Sequence, residues 1–188
     1  MARTRREQDA GAKRDAIVAA ARRLFLAEGY DATGMAHIAR AAGVAPNTLY
    51  WYFDDKDALL ITLLDELVAE ALAEYAGVQA LPLDEQLLWL LAKFDAAPGM
   101  VSTVHARLAV SPGLREWHER FHAMVEALVM ALLAAHGVPE AERQPAARIA
   151  MFVVEGLLSH HAGPPDERKT IAALLAARML PATPTKPE

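Results

Sequence analysis

Hydrophobic residues recur along most of this chain at three- and four-residue spacing, which is the periodicity of amphipathic helices. Pro and Gly separate the periodic segments, and strand signals are lacking. The pattern predicts three helices before Phe53, a long helix from about Asp54 to Gly77, and five more helices up to about Leu180. We therefore expect an all-α fold of about nine helices.

Two short predicted helices with a sharp turn between them lie within residues 35–53. Gly43 is expected to end the first helix, because glycine enters the left-handed conformation without a steric penalty. Pro46 suits the first position of the second helix, where its missing N–H would have no partner. The small side chains of Ala39 and Ala42 let the two helices cross closely. The segment is therefore predicted to be a helix-turn-helix.

The second of these helices has an apolar back and a hydrogen-bonding front. At about 100° per residue, Leu49, Tyr52 and Phe53 share one side of the helix. The remaining positions carry an amide, a hydroxyl, a phenol and an indole: Asn47, Thr48, Tyr50 and Trp51. A recognition helix in the DNA major groove needs this division. The alternative, an ordinary helical hairpin, would leave two aromatic side chains exposed without a partner.

The residues around this motif resemble the DNA-binding domain of TetR-family (tetracycline-repressor-like) transcriptional regulators. The resemblance covers roughly residues 11–71 and includes Gly29-Tyr30, Thr33, Ile38-Ala39, Ala42-Gly43-Val44, Thr48 to Phe53 and Lys56 to Leu60. Gly34 and Ala45 depart from the family pattern, which usually has a hydroxyl residue at the first position and often Ser at the second. We therefore expect no phosphate contact from either of these side chains.

The resemblance implies a DNA-binding domain at residues 11–71, with the motif at about 34–53, and an effector-binding and dimerisation domain at residues 72–182. A long connector helix would join the two. It also implies a dimeric repressor that leaves a palindromic operator in double-stranded DNA when a small, largely apolar ligand binds. The candidate DNA contacts are Thr33, His37, Pro46, Asn47, Thr48, Tyr50, Trp51, Tyr52 and Lys56.

Two sets of residues are candidates for ligand and partner contacts in the C-terminal domain. The effector-pocket candidates are Trp89, Phe94, His105, Trp117, Phe121, Met124, Phe152 and Glu155. The last two predicted helices have wide apolar faces, and two such helices from each subunit suit a four-helix interface. The interface candidates are Phe152, Leu157, Ile171, Leu174 and Leu175. For both sets the alternative is ordinary burial within one subunit.

The charge of the chain is distributed unevenly. The formal net charge of the 188 residues is −5, yet the first 50 residues hold eight Lys and Arg against five Asp and Glu. A basic head on an acidic body is typical of DNA-binding proteins. Arg3, Arg5 and Arg6 belong to a polar tail before a first helix that starts near Ala12. We expect this tail to be disordered on its own, and either to reach DNA or only to aid solubility.

Several classes of protein are disfavoured by what the sequence lacks. It has no Cys, no apolar run near 18 residues and no N-terminal apolar stretch of the kind found in signal peptides. We therefore expect a cytoplasmic protein without a membrane partner, a disulfide or a cofactor.

The run His118-Glu119-Arg120-Phe121-His122 fits H-E-x-x-H, the pattern in which two His bind zinc and Glu acts as the base. Two alternative functions rest on it: a metal-responsive regulator that uses His118 and His122, with His105 as a further candidate ligand, and a zinc metallohydrolase. The pattern is short enough to arise by chance, and no edge strand for a peptide substrate is predicted. A half-exposed polar helix face is therefore favoured, and we expect no enzyme.

Overall fold

The computed structural model describes residues 2–95, 97, 99–159 and 164–179, and all regular structure in these residues is helical. Within these residues there are nine helices: α1 (Ala2–Glu28), α2 (Met35–Ala41), α3 (Pro46–Tyr52), α4 (Lys56–Tyr75), α5 (Leu83–Asp95), α6 (Met100–Arg107), α7 (Pro112–Ala135), α8 (Glu140–Ser159) and α9 (Pro165–Met179). The predicted all-α class is thus confirmed, with the helix-turn-helix formed by α2 and α3. In this described part, no single helix is both long enough and apolar enough to cross a membrane. Helices α5 and α6 meet both conditions only when they are counted as one bent pair.

The chain divides into two compact units, and each consists of two segments. The first unit combines residues 1–74 with residues 97–117, so it holds α1 to α4, α6 and the start of α7. The second unit combines residues 75–96 with residues 118–188 and holds α5, the rest of α7, α8 and α9. The sequence predicted continuous domains instead, and those boundaries stay a prediction.

The core of the first unit is built from one or more fully buried aliphatic side chains on each of its first four helices. They are Ile17 and Val18 on α1, Ile38 on α2, Leu49 on α3, and Leu59, Leu60 and Leu63 on α4. On α4, Leu63 follows the other two leucines by three and four residues, so the three side chains share one face of the helix. Each such burial stabilises the fold by about 1.5–3 kcal/mol, so this core fixes where the helix-turn-helix sits.

Helix α1 begins at Ala2, about ten residues before the predicted start near Ala12, so the prediction of a disordered N-terminal tail is wrong. The tail was predicted from its polar composition. Its residues are nevertheless mostly strong helix formers, and Gly11 is the only Gly or Pro between Ala2 and Glu28. Extending a helix that is already nucleated is much easier than starting one.

The second unit has its own core, centred on the fully buried Leu133 of α7. The buried residues around it are Leu83, Val138, Ala150, Leu175, Ala176 and Met179. A smaller cluster joins Leu91, Val154 and Leu157. Gln86 is buried as well, and its amide donates to the carbonyls of Gln79 and Leu81 while Tyr75 donates to its oxygen. The polar group is therefore buried with its hydrogen bonds made.

Candidate nucleic-acid interface

The turn between α2 and α3 depends on Gly43, which has a φ of +70°. Its N–H donates to the carbonyl of Arg40, and the N–H of Val44 donates to the carbonyl of Ala39 at 3.0 Å. This pair of bonds is the Schellman arrangement, which ends a helix and reverses the chain. The predicted role of Gly43 is confirmed, and any side chain at this position would be strained.

The two helices of the motif start without side-chain caps. Gly34 precedes α2 and Ala45 precedes α3, both with extended backbone, and neither makes a side-chain hydrogen bond to the helix start. Pro46 occupies the first turn of α3, as predicted. Ala in place of Ser at such a position costs about 1 kcal/mol. Tertiary packing must therefore hold α3 in place.

The back of α3 supplies that packing. Leu49 is fully buried, and Phe53, the residue that follows α3, is only 4% exposed. The guanidinium carbon of Arg14 on α1 lies 5.6 Å from the centroid of the Phe53 ring, which is within cation–π range. Helix α3 is thus fixed at its centre and at its C-terminal end.

The front of α3 is open to solvent and aromatic. The side chains of Tyr50 and Trp51 are 53% and 75% exposed, and Pro46 and Asn47 are exposed too. Thr48 and Tyr52 are half-buried, and the Tyr52 ring meets that of Trp51 edge-on at 4.7 Å. Exposing this much aromatic surface is costly unless a partner covers it. The hydroxyl and indole N–H on these rings can bond to phosphates or base edges.

Two of the candidate contacts sit before and at the start of α2. Thr33 is fully buried, and its hydroxyl donates to the carbonyl of Gly29 at 2.8 Å, which closes the turn after α1. His37 is half-exposed, with Nδ1 at 3.6 Å from the carboxylate of Glu28. Contact with DNA by either residue stays a prediction. In this structure the Thr33 hydroxyl is used inside the protein.

Lys56 stands in the first turn of α4 and reaches back to the turn between α1 and α2. Its ammonium donates to the carbonyls of Tyr30 and Thr33, at 2.8 and 3.1 Å, and lies 4.0 Å from the centroid of the Tyr30 ring. Burial lowers the pKa of Lys56 from its usual value. An ammonium has three N–H donors, so these two bonds leave capacity for one phosphate oxygen.

Comparison with known proteins shows which proteins share this helix-turn-helix. Residues 17–63 match the family model for bacterial regulatory proteins of the tetR family. The chain is 35% identical over 92 residues to the HTH-type transcriptional regulator AcrR of Shigella flexneri, a match that covers 45% of this chain and 43% of AcrR. It is 27% identical over 179 residues to the HTH-type transcriptional repressor Rv1474c of Mycobacterium tuberculosis, covering 89% and 92% of the two chains. Residues 17–63 of this chain therefore form a domain of the tetR type.

The resemblance seen in the sequence is therefore confirmed. The TetR-type fold also extends beyond the matched N-terminal segment. A crystal structure of a transcriptional regulator from Rhodococcus sp. Rha1 matches with a TM-score of 0.71 at 19% identity, covering 88% of this chain and 95% of that one. The matched part of the chain spans less than half the length of AcrR.

A polar cluster at the start of α4 was not predicted from the sequence. The carboxylate of Asp57 accepts two hydrogen bonds from the guanidinium of Arg107 on α6, at 2.5 and 2.8 Å, and one from the hydroxyl of Tyr30. Burial pushes the pKa of Asp57 up, but the bonds from Arg107, Tyr30 and Ser111 outweigh it and leave the pKa below its usual value. The partners are 27 and 50 residues away in the sequence, so no local pattern reveals them.

The effector-pocket candidates fall in both units. His105 and Trp117 belong to the first unit, where Trp117 is buried and its indole N–H donates to Asp65 at 2.8 Å. The six others belong to the second unit. Phe152 is 70% exposed there, while the half-buried side chains are Trp89, Phe94, Phe121, Met124 and Glu155. The pocket stays a prediction, and Trp117 already has a structural role.

The interface candidates on α8 and α9 differ in exposure. Phe152 and Leu174 are 70% and 60% exposed. Leu157 and Leu175 are buried in the core of the second unit, and Ile171 packs against the same core. Phe152 and Leu174 are therefore the two candidates whose side chains are accessible to a second subunit.

Proposed function

We propose that this chain is a sequence-specific DNA-binding transcriptional regulator that reads the major groove with α3. The observation that carries the proposal is the helix itself, which is anchored by the buried Leu49 and exposes Tyr50 and Trp51. A recognition helix needs a rigid back and a front of short hydrogen-bonding side chains. The regulatory role of the matched relatives, named as transcriptional regulators, supports the same function.

Duplexes selected from a random-sequence pool by the wild-type chain provide the DNA for the test. Replacing Tyr50 or Trp51 with Ala should weaken binding to selected and random duplexes alike, because both side chains are expected to touch phosphate. Val110→Ala is the matched control, since Val110 is a similarly exposed apolar residue of the first unit. Wild-type affinity in both aromatic variants would contradict the role of α3.

Base reading is expected from the polar residues of the same helix. Replacing Asn47 or Thr48 with Ala should alter the preferred sequence, at about 1–3 kcal/mol for each lost base contact. Binding to random duplexes should change little. A repeated selection with each variant measures the preference directly, and an unchanged consensus in both would exclude these two residues from base reading.

We infer further that the regulator is a homodimer held together by α8 and α9. Two half-sites one helical turn apart need two recognition helices related by a two-fold axis. Ile149 and Phe152 are exposed one turn apart on α8, and Gly156 follows on the same face with open space where a side chain would be. Leu174 is exposed on α9. A glycine on an apolar stripe lets a partner helix approach closely.

Light scattering of charged variants tests this interface. Phe152→Glu and Leu174→Glu should each give monomers, because the carboxylate would be buried without a partner between subunits. Lys169→Glu is the control, an exposed position on α9 outside the apolar patch. Intact dimers in both variants would place the interface elsewhere.

We propose, finally, that a small, largely apolar ligand releases this regulator from its operator, as the TetR resemblance implies. The half-buried aromatic side chains of the second unit, among them Trp89 and Phe121, supply apolar surface for such a ligand. Thermal-shift screening of apolar compounds against the DNA-free chain is the first test. A hit that also lowers operator affinity supports release, and hits that never do so would contradict it.

A further inference from the structure

Three side chains of the second unit form a cluster that the proposed DNA contacts and dimer interface do not use. His118 and His122 are one turn apart on α7, so their imidazoles project from the same face. The ring centroids are 4.0 Å apart. The Glu155 carboxylate on α8 faces both rings, with Oε1 at 3.0 Å from His122 Nε2 and at 3.9 Å from His118 Nε2.

These distances are close to those in a metal site. Zn–N and Zn–O bonds are about 2.0–2.2 Å long, so two ligand atoms of a tetrahedral site lie about 3.3–3.5 Å apart. The two measured N···O distances, 3.0 and 3.9 Å, lie on either side of that value. Binding of one ion requires side-chain rotations that direct one nitrogen of each imidazole and a carboxylate oxygen at a common point.

The chemistry of the donors selects the kind of ion. Two imidazoles and one carboxylate suit borderline transition metals such as zinc, whereas magnesium and calcium prefer oxygen ligands alone. The three side chains are between 19% and 30% exposed. A site with this exposure shields the ion in part and leaves room for a water molecule as the fourth ligand.

We propose that His118, His122 and Glu155 bind a divalent transition-metal ion of the zinc class. The sequence pattern named the two histidines, but it placed Glu155 among the effector-pocket candidates, since no motif connects α7 with α8. His105, the other histidine considered for metal binding, belongs to the first unit and is no part of this proposal. The inference concerns metal binding alone and does not depend on the proposed DNA-binding function.

Isothermal titration of the tag-free, chelator-treated chain with Zn²⁺ is the direct test. The expected result is one zinc ion per chain. Removing groups that only support a metal ligand weakens binding about 10–100-fold, so His122→Gln and Glu155→Gln, which remove ligands, should each weaken it at least about 100-fold. His136→Gln is the matched control, because His136 directly follows α7 and belongs to the same unit. This variant should leave zinc affinity unchanged.

A second measurement separates the site from adventitious binding. Co²⁺ in a four-coordinate site absorbs visible light strongly, so the wild-type chain and His136→Gln should turn intensely coloured with one equivalent, and the two ligand variants should not. Absence of one-to-one zinc binding would overturn the proposal. So would equal zinc affinity in the wild type and both ligand variants, or a weak, octahedral cobalt spectrum. Circular dichroism of each variant confirms that it is folded before titration.

Discussion

The hydrogen bonds that Asp57 accepts at the start of α4 are expected to stabilise the fold, and Asp57→Asn is the variant that tests this. The Asp57 carboxylate is 13% exposed, and the hydrogen bonds that it accepts include two from Arg107 and one from Tyr30. Bonds to a charged group are worth about 1.5–3 kcal/mol and neutral ones about 0.5–1.5. Neutralising the carboxylate therefore costs about 1 kcal/mol per bond, or about 2–3 kcal/mol of unfolding free energy, since Arg107 remains partly solvated.

Urea denaturation followed by circular dichroism measures this loss at pH 7. Asp55→Asn is the control, because it removes the same charge two residues earlier. The Asp55 carboxylate accepts a hydrogen bond from the N–H of Ala58 as the cap of α4, and Asn caps a helix about as well as Asp. We expect this control to stay within about 0.5 kcal/mol of wild type.

The difference in unfolding free energy between wild type and Asp57→Asn should also depend on pH. The folded state lowers the pKa of Asp57, so its stabilisation is present above the unfolded-state pKa, near 3.9. It is lost as the pH falls through the folded-state pKa. The gap between wild type and Asp57→Asn should therefore narrow below about pH 4. If Asp57→Asn and Asp55→Asn lost the same unfolding free energy at pH 7, the bonds to Asp57 would not stabilise the fold as argued. The same conclusion would follow if the loss in Asp57→Asn stayed constant below pH 4.

Three further outcomes follow from the same structure. Leu157→Glu should unfold the second unit instead of giving a folded monomer, because Leu157 is buried in its core, and near-ultraviolet circular dichroism distinguishes the two results. Lys56→Met should weaken DNA binding and also lower the melting temperature, since the ammonium holds the turn that contains Tyr30 and Thr33; a loss of binding at unchanged stability would assign Lys56 to phosphate alone. Glu119→Gln should leave peptide hydrolysis by the zinc-treated chain unchanged from wild type, because we expect no peptidase activity from this chain; a selective loss of activity in the variant would instead support a metallohydrolase with Glu119 as its base.

The sequence predicted what depends on local spacing. Helical periodicity gave the all-α class, and Gly43 and Pro46 marked the turn of the motif, because backbone conformation near a Gly or Pro is decided by the residue itself. Local spacing does not predict contacts between elements that are far apart in the sequence. Arg107 and Asp57 are 50 residues apart. In sequence Leu157 is as plausible a dimer contact as Leu174, but in the structure α5 covers it. Apolar periodicity shows which face of a helix is buried, but not which neighbour buries it.

The weak start of α3 gives its anchoring residues a direct role in recognition. The helix has only seven residues and begins at an Ala that provides no cap, and helices of this length are not stable alone in water. Its geometry is therefore set by the packing of Leu49 and by the contact between Arg14 and Phe53. Arg14→Met keeps most of the side-chain bulk and removes the cation–π attraction, worth about 0.5–1 kcal/mol near the surface. We expect this variant to stay folded yet lose operator affinity, with a smaller loss on random duplexes, because a displaced recognition helix loses base contacts before it loses phosphate contacts. An equal loss on both kinds of duplex would instead make Arg14 a phosphate ligand and leave the orientation of α3 to Leu49 alone.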